Sequence, residues 1–121
     1  MMIKEILDAL TGAFEEFGIF ATDDWRDIDI PGAFVTVTNL SEFTLGSEFI
    51  ARAEITFVVP DHGGAADVIE IGEIVEQGIG AMRSIGAAIE HVELNQQVVP
   101  PYGGKCPAAT MIIKIGYDME T

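Results

Sequence analysis

From Phe49 onward the odd positions Phe49, Ala51, Ala53, Ile55, Phe57 and Val59 are all apolar, while the even positions include Arg52, Glu54 and Thr56. Successive side chains of a strand point to opposite faces, so this period of two predicts a strand with one buried face. Upstream, residues 33–44 form a second run rich in Val, Thr and Phe, and Leu45-Gly46-Ser47 makes a short connection between the two. Together they predict a long β-hairpin. Strands of about eleven or twelve residues would each span roughly 35 to 40 Å, so the tip is expected to project beyond the domain body. An isolated hairpin is marginal in water, so the odd face is expected to lie on helices.

Around the hairpin the period changes. Ile3, Ile6, Leu7, Leu10, Phe14 and Phe17 recur at helical spacing between Lys4, Glu5, Asp8, Glu15 and Glu16. They predict an amphipathic helix with its aromatic stripe in the core, ended at Gly18. Ile19-Phe20-Ala21 reads as a short edge strand, followed by the polar segment TDDWRDID and a Pro31-Gly32 turn. After Val59, Pro60-Asp61-His62-Gly63-Gly64 stops the strand. A second helix is predicted over residues 65–84, with Val68, Ile71, Val75, Ile79 and Met82 on one face and Ile74 broadening it. Asp67, Glu70, Glu73 and Glu76 crowd its N-terminal half and Arg83 lies near its end, as the helix dipole favours. Gly72, Gly78 and Gly80 each cost up to about 1 kcal/mol inside a helix, so a close approach to a neighbour, or a kink, is expected to compensate.

Beyond Gly86, residues 89–96 alternate Val92 and Leu94 against His91 and Glu93, which predicts a strand. QVVPPYGGKCP, residues 97–107, reads as a loop because its prolines and glycines break regular structure. Its length suits binding or assembly, with Pro100, Pro101, Tyr102 and Lys105 as the candidate residues. Ala109, Met111, Ile113, Ile115 and Tyr117 then alternate with Thr110, Lys114 and Asp118 in a last strand. The sum is one α+β domain over residues 1–121, a mostly antiparallel sheet of four to five strands with two helices packed on one face. The other face would carry Phe34, Thr36, Ile50 and Val58 among polar residues, and part of it is expected to be covered in an assembly.

Composition narrows the function classes. Apolar residues make up 49% of the 121, which weighs against disorder, yet no apolar run approaches the roughly 20 residues of a membrane-spanning helix. The start of the chain lacks the features of a signal peptide, so a cytoplasmic site of synthesis and residence is expected. The one cysteine, Cys106, excludes an intrachain disulfide and a CxxC motif and reads as a small, half-buried thiol. Twenty acidic residues against six basic ones give a net charge of −14, which opposes attractive binding to nucleic-acid phosphates or anionic lipid. The carboxylates are scattered, as on a solvated surface, a surface that repels passing DNA, or one that imitates DNA to occupy a basic protein.

Candidate chemistry is sparse. Asp23, Asp24, Asp27 and Asp29 invite a hard cation, but the segment lacks the alternate spacing, central Gly and terminal Glu of an EF-hand loop. Trp25 within it reads as a lid over the core edge. No phosphate-binding or nucleophile-elbow pattern surrounds His62, and His91 has no Cys, Ser or second His at a recognisable spacing. No catalytic, cofactor or metal residue is therefore assigned.

In the order of its elements the chain resembles the tail terminator, or tail completion, proteins of long-tailed bacteriophages and prophages. The resemblance spans nearly the whole length: an opening amphipathic helix, the PGAFVTVTNL strand after a Pro, the FIARAEITFVVP strand leading into an acidic helix, and the closing MIIKIGYDM strand. It rests on pattern and order and carries over no catalytic residue. It implies a homo-oligomeric ring, commonly a hexamer, that sits on the tail tube, stops its polymerisation and presents a surface to the head connector. The expected locations are the virion tail and, during assembly, the host cytoplasm. On the residues themselves, the hairpin tip with Phe43, Leu45, Gly46 and Phe49 is the candidate intersubunit contact. An acidic DNA mimic or other inhibitory binding module stays open, as do a small-ligand module and, with less to support it, an enzyme.

Overall fold

The computed structural model describes residues 2–42 and 48–118. The opening amphipathic pattern forms α1, Met2–Glu16, which buries Ile6, Leu10, Ala13 and Phe14. Gly18 ends it at φ 79°, and the Ile19 amide donates back to the Phe14 carbonyl at 2.9 Å. Phe17, expected in the core stripe, is 38% exposed, because it falls after the last helical residue and outside the stripe. The edge strand predicted at Ile19-Phe20-Ala21 is shifted to β1, Ala21–Thr22, which pairs in parallel with β2, Gly32–Glu42. Between them lie one 3-10 turn, Trp25–Asp27, and a cis Ile30–Pro31 peptide. Gly32 is required here: a Cβ on it would lie 2.2 Å from the Asp29 carbonyl oxygen.

β2 returns as β3, Glu48–Val58, in an antiparallel register from Gly32↔Val58 to Glu42↔Phe49, with a bulge between Val37 and Asn39. α2, Ala65–Ser84, has the predicted bounds, and Gly86 follows it at φ 77°. β4, Ala88–Val98, and β5, Cys106–Asp118, complete a five-stranded sheet in the order β1-β2-β3-β5-β4. It is antiparallel apart from the β1 pair. The architecture is α+β, as expected. The loop predicted over residues 97–107 is shorter, covering residues 99–105, because Gln97 pairs with Pro107 and Val98 with Cys106. A proline near the start of a strand is tolerated, and the Pro107 carbonyl still accepts from the Val59 amide at 3.1 Å.

The odd positions of β3 do face the helices. Ala51, Ala53, Ile55 and Phe57 are fully buried with Val35, Met111 and Ile113 of the flanking strands, in one cluster with residues of α1 and α2. The rings of Phe14 and Phe57 meet edge-on at 5.7 Å. Gly78 of α2 rests on the other side of this contact: a Cβ there would lie 2.4 Å from the Phe57 ring. Gly80 approaches the Phe17 ring in the same way, at 3.0 Å. Two of the three helical glycines thus have the expected packing reason, whereas a Cβ on Gly72 would meet nothing within 4 Å. Val68, expected on the buried face of α2, is 74% exposed, because the first turns of α2 overhang a cleft beside β4.

On the opposite face Trp25 packs edge-on against Phe34 at 5.5 Å, so this lid covers the second face of the sheet at the start of β2. Ile28 in the same segment is buried, and the cross-strand neighbours Val58 and Ala108 are buried outside the helix-side cluster.

The glycines yield a paired prediction. Gly78→Ala forces the buried Phe57 ring aside and is expected to lower stability by about 1–3 kcal/mol, as overpacking does. Gly72→Ala gains helix propensity in open space and is expected to raise stability by about 0.5–1 kcal/mol. Urea midpoints of the two variants, measured side by side, give opposite signs.

Candidate functional site

The strand register sorts the candidate residues onto opposite ends of the sheet. At one end Glu42 of β2, Glu48 and Phe49 of β3 and Tyr117 and Asp118 of β5 come together. Phe49, half-buried, lies between Glu42 and Tyr117, and β5 accompanies β3 as far as Glu48. Phe43, Leu45 and Gly46, the other tip candidates, lie outside the described residues. Behind this end the Tyr117 hydroxyl donates to the Glu5 carboxylate, fastening the first turns of α1 to the last strand. That bond, above all, holds the Glu5 carboxyl below its ordinary range and raises the Tyr117 phenol.

At the other end β3 finishes beside the start of β5, and the loop of residues 99–105 leaves the sheet. The structure divides the candidates there: Pro100 is buried, whereas Pro101, Tyr102 and Lys105 are exposed. Tyr102 is 77% exposed and Val99 59%, so the loop offers an aromatic ring and an aliphatic group to solvent. Cys106 follows; burial, with Asp61 nearby, pushes its thiol up and keeps it protonated, which disfavours nucleophilic use. The residue 60–64 loop closes on α2 through Asp67, whose carboxylate accepts from the His62 amide at 2.8 Å and the Gly63 amide at 3.2 Å. The His62 ring lies 3.5 Å from Glu70. This accounts for the His-Gly-Gly sequence as a helix entry.

The aspartates before β2 do not converge. Asp24 caps the 3-10 turn, accepting from the Arg26 amide at 3.0 Å and from its guanidinium at 3.1 and 2.8 Å, and Arg26 holds the Asp24 carboxyl below its ordinary range. Among the described residues no group of three or more His, Cys, Asp or Glu is arranged to hold a metal ion.

Two further surfaces escape a reading by alternation. On the open sheet face Arg52 reaches Glu90 at 3.2 and 3.4 Å and Lys114 reaches it at 3.7 Å, along a polar cleft that also includes Thr38 and Asn39. Strict alternation through Val92 would turn Glu90 toward the helices. A bulge between Ile89 and His91 lets Ile89 and Val92 both pack on the core and turns Glu90 outward. A second irregularity, between Glu93 and Gln96, leaves Leu94 57% exposed, although alternation predicts it inward. Leu94 and Val68 then line a common cleft between β4 and α2. No sequence signal announces either bulge.

The groups at these surfaces are rings, aliphatic side chains, exposed carboxylates and cross-strand ion pairs. No protein-family model matches the chain, and no curated protein matches it at a significant level.

The Tyr117–Glu5 bond sets a pH window. A depressed carboxyl contributes stability above its unfolded range that is lost as pH falls through its folded value. A raised phenol contributes stability that is lost as pH rises through its folded value. The Tyr117→Phe variant is expected to return the Glu5 midpoint upward toward the ordinary carboxylate range, read from side-chain carboxyl NMR shifts across an acid titration. An unchanged midpoint would show that the bond does not form in solution.

Proposed function

We propose that this chain is a structural tail-assembly protein of a bacteriophage or prophage, a terminator ring that caps the tail tube and joins it to the head connector. One observation carries the reading. The hairpin and the 99–105 loop leave opposite ends of the same sheet, with the 11 residues of β3 between them, roughly 35 Å of strand. A single copy therefore offers two unlike surfaces along one axis, as a subunit set between two different partners requires. One end is lined by Glu42, Glu48 and Asp118 and the other by Val99, Tyr102 and Lys105.

Contacts between unlike patches close into rings when the rotation between copies allows it, and a hexamer is the size the resemblance favours. The net charge of −14 suits a channel that DNA traverses, because like charges within a Debye length of about 8–10 Å repel. The virion tail, and the host cytoplasm during assembly, are the matching locations. The same charge also favours a second reading, an acidic DNA mimic or other inhibitor that occupies a basic protein. Competition with DNA for a basic enzyme separates the two.

Sedimentation velocity of the chain alone and with tail tubes tests the ring. A strict monomer at high concentration that also leaves the tubes uncapped would overturn it. Leu45→Ser and Phe49→Ser are expected to weaken assembly by about tenfold or more, some 1.4 kcal/mol, with a smaller effect on the urea midpoint of the monomer. If the pair unfolds the monomer and leaves no assembly-specific defect, the tip is not the contact.

A further inference from the structure

We draw no further inference here: the strongest candidate, the polar cleft on the open face of the sheet where Arg52 and Lys114 meet, carries nothing because Glu90 already holds both cations, Glu42 lines the same cleft, and nothing in the structure shows what covers it.

Discussion

The contact among Phe14, Phe57 and Gly78 fixes how the layers of this protein meet. Phe57 is fully buried on the central strand β3, receives the edge of the Phe14 ring from α1, and lies under the one point of α2 where a Cβ would collide with it. Burying an aromatic side chain of this size is worth about 1.5–3 kcal/mol, and an edge-on pair adds roughly 0.5–1.5 kcal/mol. Those gains exceed the helix propensity that Gly78 gives up. α2 is seated by this contact, and its first turns line an open cleft beside β4, where Val68 is exposed and the Cβ position of Gly72 is open.

Much of this frame is legible in the residues because it rests on simple periodicity. The alternation from Phe49 to Val59 identifies the core face of β3, and the acidic first half, apolar stripe and terminal Gly86 delimit α2. The packing reason for Gly78 is anticipated too, since a glycine inside an otherwise regular helix needs a neighbour in the space of its missing side chain. Legibility fails where the ladder is interrupted. Alternation assumes one residue opposite one, so the bulge before His91 turns Glu90 outward, and the irregularity after Glu93 leaves Leu94 exposed in the cleft beside α2. It fails again at residues 97–107, where the prolines read as breakers although Pro107 occupies a strand start that asks nothing of its nitrogen.

The surfaces follow the same division. Exposure of Tyr102 and Lys105 comes from a loop that composition already marks, whereas Pro100 beside them turns inward to anchor it. The cleft between Val68 and Leu94 joins residues distant in sequence, so no local pattern contains it. Likewise Arg52 and Lys114 become neighbours through the β3–β5 register, and Glu90 joins them through a bulge. An ion pair of this kind, open to solvent, adds little to stability, and its effect is to keep the uncovered face of the sheet polar.

The Tyr117–Glu5 bond and the position of β3 together have a mechanical consequence. β3 is clasped by β2 on one side and β5 on the other, and the ladder bonds run perpendicular to the strands. A pull directed along the strands at the Glu48 end would load many of those bonds in shear at once, instead of opening them in sequence as peeling would. Tyr117, hydrogen-bonded to Glu5, carries part of that load from β5 into α1. The domain is thereby a strut, stiffest along the line that joins its two unlike ends.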